Sequence, residues 1–514
     1  MVRAPRTWLA LVAALAVVGS SAGPSAPPAE ASVTVLGAGS TWDYIATSQW
    51  AADVHVLYGI TINYSPVGST TGREFYIEGQ VDFGDSDIPF LSGPPSDELG
   101  QIRAKHKTFQ YLPTVAGATG IMYNLRTPSG KLITNLQLDS KALTGIFTGT
   151  VTQWNDPLIV SQNPRLRSQI PNTRIIPVVR ADGSGTSAMF SDYLRQLQPA
   201  MWRSFCAHHA ISPCGEISFW PLDIAGAVGQ KGSDGVANYV QQQTGTITYV
   251  ETGYALARNF PVVLVRNASG HYVFPSSQND ATALTHARIQ SDLISDLSGV
   301  HTAPERTAYP IAGYSYMITP TREGFGFTRA KGAVLGKFIL YAACAGQKQA
   351  SQLGYSPLTP VLVRGVFAAV RRIPGAPTPP PLSKCANPTL HGGASQGPTG
   401  NQGGSNTTGG SGPTSGGGPK QHSKHHQKPA KTRGGTTPAT SGATPTVGLE
   451  LTANQLSSRR ASALKALGGV KPGSSTPLAL AILDVLAIAL CPWIIWHRRR
   501  RADSGGVSSN VEGG

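Results

Sequence analysis

The segment Arg180-Ala-Asp-Gly-Ser-Gly-Thr186 sets a guanidinium, a carboxylate and two hydroxyls around two glycines. An arginine fork matches the oxygens of a tetrahedral anion, and donors at a helix start add uncharged hydrogen bonds. We therefore predict an oxyanion site here, with a helix opening at Ser187 and with the amides of residues 183–185 contributing donors. Asp-Gly-Ser-Gly is also a common turn sequence, so this segment alone leaves a structural role open.

Two earlier segments repeat the order of strand, polar turn and helix. Apolar residues 33–36 precede Gly-Ala-Gly-Ser-Thr-Trp at 37–42, and residues 60–64 precede Val-Gly-Ser-Thr-Thr-Gly at 67–72. The first turn lacks the third glycine of a dinucleotide fingerprint, and the sequence G-x-x-x-x-G-K-[ST] of a nucleotide loop does not occur. Serine and threonine at helix starts are often plain N-caps, so each turn alone also leaves a structural role open.

A candidate acceptor follows the second turn. The segment 81–89, Val-Asp-Phe-Gly-Asp-Ser-Asp-Ile-Pro, places Asp82, Asp85 and Asp87 close together beside apolar residues. The glycine and the distal glutamate stand at the wrong offsets for an EF-hand calcium loop. These carboxylates therefore indicate a hydrogen-bond acceptor for the predicted anion.

These motifs, with Gly235-Val-Ala, Gly245-x-Ile-x-Tyr-Val-Glu251 and Tyr309-Pro-Ile, occur in one order along residues 33–363. They resemble the PstS-type phosphate-binding proteins of bacterial ABC phosphate importers. The resemblance implies an α/β, two-lobed periplasmic-binding-protein-like fold of type II, in which hinge strands join the lobes and the ion sits in the cleft. Strands that alternate with helical stretches independently predict α/β layers with mostly parallel sheets.

The resemblance also implies which residues contact phosphate. The contacting residues would be Thr41, Trp42, Ser69, Asp87, Arg180, Ser184, Gly185 and Thr186, supported by Asp182, Ser40 and Thr70. Trp42 would use its amide, and Asp182 would hold Arg180. Phosphate keeps a proton near neutral pH and sulfate keeps none. Asp87 is therefore expected to accept a hydrogen bond from phosphate and to repel sulfate. Asp85 departs from the family pattern by adding a carboxylate near Asp87.

Five regions are predicted along the chain. They are a signal peptide at 1–31, a phosphate-binding domain at 32–372, a disordered Gly/Ser/Thr/Pro-rich extracellular linker at 373–476, one transmembrane helix at 477–496 and a basic cytoplasmic tail at 497–514. Within the domain, lobe one takes about 32–107 and 258–372, and lobe two takes about 108–257. The expected location is the cell membrane of a Gram-positive bacterium, with the N-terminal domain outside the cell.

The cysteines predict two disulfides, and the distribution of charge argues against a nucleic-acid-binding protein. Four cysteines lie outside the predicted span, and an even number in a secreted region predicts two disulfides. Cys206 with Cys214 is the natural local pair, which leaves Cys344 with Cys385 to tie the tail to the last helix of the domain. No metal or cofactor is expected. Most of the excess positive charge lies in the tail and the signal peptide, so nucleic-acid binding is not expected.

The predicted function is therefore capture of inorganic phosphate outside the cell and its delivery to an ABC permease in the same membrane, without catalysis. One alternative is a membrane-anchored phosphate sensor or surface interaction protein that has no permease. A remote alternative is a phosphatase or serine hydrolase that uses Ser184. That serine lacks the G-x-S-x-G setting of a hydrolase nucleophile, and no histidine is close to it in sequence.

Overall fold

The structure, a computed structural model, describes residues 33–94 and 96–392. The predicted signal peptide, transmembrane helix and cytoplasmic tail, and the linker beyond residue 392, lie outside these residues. No helix within the described ranges is both long enough and apolar enough to pass through a bilayer.

Strands and helices alternate along most of the described chain. The strands are β1 (Thr34–Gly39), β2 (Thr61–Ser65), β3 (Phe83–Ser86), β4 (Gln110–Asn124), β5 (Gln137–Leu138), β6 (Ile176–Arg180), β7 (Val228–Gln230), β8 (Thr246–Glu251), β9 (Leu264–Arg266), β10 (Tyr272–Val273), β11 (Arg288–Ile289), β12 (Ser295–Asp296) and β13 (Ala312–Thr319). The α-helices are α1 (Tyr44–Tyr58), α2 (Ser69–Glu78), α3 (Glu98–Ala104), α4 (Ser140–Phe147), α5 (Pro157–Val160), α6 (Gly185–Leu197), α7 (Pro199–His208), α8 (Gly232–Gln242), α9 (Thr252–Ala257), α10 (Ser277–Leu284), α11 (Ser298–His301), α12 (Arg329–Ala343) and α13 (Pro360–Val370).

The main sheet has the strand order β2-β1-β3-β13-β4-β8-β6-β7. At one end β1 pairs in parallel with β2 and β3, and at the other end β6 pairs in parallel with β7 and β8. The pairs formed by β13 and β4 in the middle are antiparallel. The parallel pairing predicted from sequence is thus correct for the two ends of the sheet, whereas the strands that join them run in opposite directions.

Strand β4 connects two hydrophobic cores. Its residues Tyr111 and Val115 belong to the first core, whereas Ile121 and Tyr123 belong to the second. All fifteen of its residues are buried. This continuous strand therefore passes from one lobe into the other, as expected of a hinge strand in a two-lobed α/β fold. Parts of the segment 262–273, which the sequence prediction gave to lobe one, pack in the second core.

Helix α1 shows how the sequence sets an element that supports the site. Ala46, Trp50 and Val54 recur every four residues and are fully buried, so they form one apolar face. The helix runs from Tyr44 to Tyr58. It stops at Gly59, which takes a left-handed conformation with φ of 64°.

Two disulfides join Cys206 to Cys214 and Cys344 to Cys385. Both predicted pairs are therefore confirmed. One detail of the prediction is wrong: the second disulfide does not tie the tail to the last α-helix of the domain. Cys344 lies at the C-terminal end of α12, and α13 comes later in the chain.

Residues 373–392 belong to the folded domain rather than to the linker in which the sequence prediction placed them. Asn387 is fully buried, and its amide donates to the carbonyls of Ala343 and Leu358 at 3.1 Å each. The nearby disulfide covalently fixes the same segment. Composition did not reveal this, since a buried amide and a crosslink hold the segment in place with few aliphatic residues.

Candidate anion-binding site

The first lobe brings three polar segments to one edge of the sheet. Residues 40–42 follow β1, Ser69 and Thr70 begin α2, and Asp87 follows β3. Because β1 and β3 are parallel neighbours, the loops at their C-terminal ends lie side by side. Ser69, Thr70 and Asp87 are each less than one-tenth exposed.

The two carboxylate oxygens of Asp87 have different surroundings. Oδ1 accepts from Ser40 Oγ at 2.5 Å and from Ser315 Oγ at 2.8 Å. Among the described residues, Oδ2 has only long hydrogen-bond contacts of 3.4 Å, with Ser69 Oγ and Thr186 Oγ1. Burial raises the pKa of Asp87, although the hydrogen bonds from Ser40 and Ser315 oppose the rise. Oδ2 is thus the oxygen that can accept a strong hydrogen bond from a ligand.

In the second lobe, the glycine turn leads into α6. The helix begins at Gly185, two residues before the predicted start, because Ser184 is the N-cap and its Oγ accepts from the Ser187 amide at 3.1 Å. The Ser184 amide itself donates to the Ser218 carbonyl at 2.9 Å. The expectation that all the amides of residues 183–185 serve as ligand donors is therefore wrong for Ser184.

Arg180 ends β6 and is held by one carboxylate. Its Nε donates to Asp182 Oδ1 at 2.7 Å and its Nη2 donates to Asp182 Oδ2. Asp182 also accepts from the Gly232 amide at 3.0 Å. Burial acts to raise the pKa of Asp182, but the hydrogen bonds and charge of Arg180 outweigh it and lower that pKa. Within the described residues no hydrogen bond uses Nη1 of Arg180, so this nitrogen can donate to an anion.

The two lobes meet at these residues. The Thr70 amide of the first lobe donates to the Gly183 carbonyl of the second at 3.2 Å. A β-carbon added at Gly185 would lie 2.6 Å from Ser69 Oγ and 2.7 Å from Asp87 Oδ2. The closed arrangement thus joins the donors of both lobes around Asp87, and it depends on a glycine at position 185.

Thr41 contacts Ser233, a residue that the sequence prediction did not include. Its Oγ1 lies 2.9 Å from Ser233 Oγ and accepts from the Ser233 amide at 3.2 Å. Ser233 lies in the first turn of α8, within the sequence Gly-Ser-Asp-Gly at 232–235. This is a fourth donor-rich helix start, a signal that the prediction did not use.

Ser315 was also missed, and it had no comparable signal. It lies within the fully buried strand β13, between two tyrosines, where a serine is indistinguishable from an ordinary core residue. Only the antiparallel pairing of β13 with β3 brings its hydroxyl to Asp87.

The loop at residues 40–42 is fixed from outside by phenols. The Trp42 amide, which was predicted to contact the ligand, donates to Ser40 Oγ at 2.9 Å. The hydroxyls of three tyrosines donate to the loop carbonyls, with Tyr64 bonded to Ser40 at 2.8 Å, Tyr254 to Thr41 at 2.5 Å and Tyr355 to Trp42 at 2.7 Å. These bonds occupy the acceptors of the loop and leave its hydroxyls directed at Asp87 and Ser233.

The cluster combines an arginine, several hydroxyls and one acceptor carboxylate. Among residues 33–94 and 96–392, no group of three or more metal-ligating side chains is placed to hold a metal ion. Ser184 Oγ serves as a helix cap. These contacts are suited to binding a small, partly protonated oxyanion.

A family model described as the PBP superfamily domain matches residues 24–344. The chain belongs to the PBP superfamily. Its relatives include the phosphate-binding protein PstS of Xylella fastidiosa, 35% identical over 338 residues, which are 66% of this chain and 85% of that relative. PstS 2 of Mycobacterium tuberculosis is 28% identical over 340 residues, covering 65% of this chain and 86% of that relative. The resemblance inferred from the motifs is confirmed.

Solved structures of PBP proteins show the same fold. PfluDING, a high affinity periplasmic phosphate-binding protein bound with phosphate, aligns with a TM-score of 0.50 at 18% identity, covering 71% of this chain and 99% of that structure. The ancestral soluble variant of the human phosphate binding protein aligns with a TM-score of 0.50 at 17% identity and covers 71% of this chain and 100% of that structure. At these identities the similarity concerns the fold.

Proposed function

We propose that this PBP protein binds inorganic phosphate outside the cytoplasm and delivers it, chemically unchanged, to an ABC importer. The observation that carries the proposal is the asymmetry of Asp87. Its Oδ1 lies within 2.8 Å of the Ser40 and Ser315 hydroxyls, whereas its Oδ2 has only 3.4 Å contacts, with one donor from each lobe. The names of the PstS relatives support the same ligand.

In this proposal, selectivity for phosphate over sulfate depends on one hydrogen bond, from the proton of phosphate to the Asp87 carboxylate. Phosphate near neutral pH can donate its proton to Asp87 Oδ2, while the other phosphate oxygens accept from Arg180 and the hydroxyls. Sulfate has no proton and would place an oxygen lone pair against the carboxylate. An unmade hydrogen bond at a buried group costs about 1–3 kcal/mol, and more where charges repel, so sulfate is expected to bind about 5- to 150-fold more weakly.

Closure supplies the transport signal in this proposal. A ligand that contacts both lobes stabilises the closed state by the contacts it makes only there. The predicted linker and transmembrane segment would keep the binding domain near a permease in the same membrane and raise its effective concentration.

The test is calorimetry of the full-length chain with phosphate, sulfate and arsenate, repeated on Asp87→Asn. We expect phosphate and arsenate to bind, sulfate to bind far more weakly, and Asp87→Asn to lose much of the phosphate-over-sulfate preference because an amide can donate to sulfate. Asp223→Asn is the matched control, since the Asp223 side chain is 74% exposed. Equal affinities of the wild type for phosphate and sulfate would contradict the proposal.

A further inference from the structure

Two carboxyl groups lie behind Asp87 and outside the set of predicted ligand contacts. Asp43 is the residue before α1, and Asp85 lies in β3. Both are fully buried, and each carboxyl acts on the pKa of the other, so the two lie close together. Two ionised carboxylates offer only acceptors, so a hydrogen bond between them requires a proton on one of them.

The remaining oxygens of this pair support a shared proton. Asp43 Oδ1 and Asp85 Oδ2 are buried and have no hydrogen-bond donor among the described residues. Leaving two such oxygens both charged and unbonded would be costly in the interior. A single proton between the carboxyls removes one charge and satisfies the contact.

The surroundings of the pair favour the protonated form. Among the described residues, the titratable groups that interact electrostatically with the pair are carboxyls and phenols, namely Asp87, Glu251, Tyr64, Tyr254 and Tyr355, and Arg180 acts on Asp87. Burial, followed by the charge of Asp87, raises the pKa of Asp43 to about 7. Burial and the charge of Asp43 also raise the pKa of Asp85. The pair therefore gives up its proton at a higher pH than a solvent-exposed aspartate does.

Ser315 connects this pair to the ligand acceptor. Its Oγ lies 2.9 Å from Asp85 Oδ1 and 2.8 Å from Asp87 Oδ1. A hydroxyl has one proton, so Ser315 can donate fully to only one of the two carboxylates at a time. A fully ionised Asp85 competes with Asp87 for that proton, and it also adds a negative charge behind the site.

We propose that Asp43 and Asp85 share one proton and that its loss at alkaline pH weakens phosphate binding at Asp87. Asp85 is then a positioning residue that acts through Ser315. The inference rests on the proposed function, because it concerns the affinity of the same site for phosphate.

The experiment compares the wild-type chain with Asp43→Asn and Asp85→Asn. In either variant the asparagine amide donates to the remaining carboxylate, so each reproduces the charge of the singly protonated pair at every pH. Phosphate affinity is measured by calorimetry from about pH 6 to about pH 8.5. Taking the ratio of wild-type to variant Kd at each pH cancels the titration of phosphate itself, since both proteins receive the same mixture of ions.

We expect the Kd ratio to stay within about twofold at the acidic end of this range and to rise by up to about tenfold for each pH unit once the shared proton is lost. The infrared difference spectrum between the two pH values should show loss of a protonated carboxyl band in the wild type and not in either variant. These two readouts distinguish proton sharing from a purely structural role. Either variant suffices if the other fails to fold.

A Kd ratio that does not change with pH, in a wild-type chain that binds phosphate, would overturn the proton-sharing inference and leave the proposed function standing. A wild-type chain that binds no phosphate at any pH would overturn the proposed function itself. The two failures are therefore distinguishable.

Discussion

Substitution of Gly185 by alanine tests whether the described lobe closure is the ligand-binding state. The new β-carbon would lie 2.6 Å from Ser69 Oγ and 2.7 Å from the Asp87 carboxylate. Gly185 belongs to the second lobe, whereas Ser69 and Asp87 belong to the first. The overlap therefore arises only when the lobes are closed, and the open state is expected to accept the extra methyl group.

The size of the effect follows from that overlap. Inserting a methyl group into a well-packed site costs about 1–3 kcal/mol. If this cost falls on the closed state alone, phosphate affinity is expected to drop about 5- to 150-fold. The melting temperature without ligand should change little, because the open form carries no steric penalty.

Calorimetry with phosphate measures the affinity, and small-angle scattering with and without phosphate reports closure. Gly215→Ala is the matched control, because a β-carbon at Gly215 would have no heavy atom of the structurally described residues within 4 Å, apart from its chain neighbours. Gly185→Ala with wild-type affinity and the usual phosphate-induced compaction would refute the assignment of this contact to the bound state.

Three further predictions concern stability. Cys344→Ser removes a disulfide that joins residues 41 positions apart, and it should lower the free energy of unfolding, measured in urea, by about 2–4 kcal/mol. Cys206→Ser removes a disulfide that joins residues 8 positions apart, and it should lower that free energy by less, because the shorter loop constrains the unfolded chain less. Burial raises the pKa of Asp43 from 3.8 to about 7 in the folded state, so between these pH values the folded state binds more protons than the unfolded state. The melting temperature of the wild type, relative to that of Asp43→Asn, should therefore fall as the pH rises from about 4 to about 7. A difference in melting temperature that does not change with pH would count against a buried proton on Asp43. Arg73→Met should lower the free energy of unfolding, measured in urea, by about 3–5 kcal/mol. The reason is that the fully buried Arg73 Nε lies 2.8 Å from Glu98, which would lose its charge partner. Adding Glu98→Gln should restore part of that free energy, because it removes the unpaired charge.

Much of the site was predictable because its parts are local. A strand that ends in a glycine and hydroxyl turn and leads into a helix has a recognisable local pattern, and the order of such turns carried the family resemblance. Arg180 with Asp182 is of this kind, since residues two apart in sequence form the ion pair directly. The same holds for Cys206 with Cys214, which lie eight residues apart.

Other parts escaped prediction because they depend on distant pairing. Ser315 reaches Asp87 only through the antiparallel pairing of β13 with β3, which joins residues separated by 228 positions in the chain. Asp85 was noted only as one of three clustered aspartates, and Asp43 was not singled out at all. They come close together because β1, which leads to Asp43, lies beside β3, which contains Asp85. The amide of Trp42 was predicted as a ligand donor, but the folded loop gives it to Ser40.

By itself the sequence determined the types of donor and acceptor, the helix starts that present them, the two-lobed α/β fold and the local Cys206–Cys214 disulfide, because these depend on short-range geometry and on the order of motifs. The second disulfide followed because only two cysteines then remained outside the predicted span. The tertiary structure alone decided which oxygen of Asp87 remains open, which hydroxyls contact the other oxygen, and which carboxyls lie near them. Hydrogen-bond capacity at a buried group depends on every neighbour it meets in space, and most of those neighbours come from elements far away in the chain.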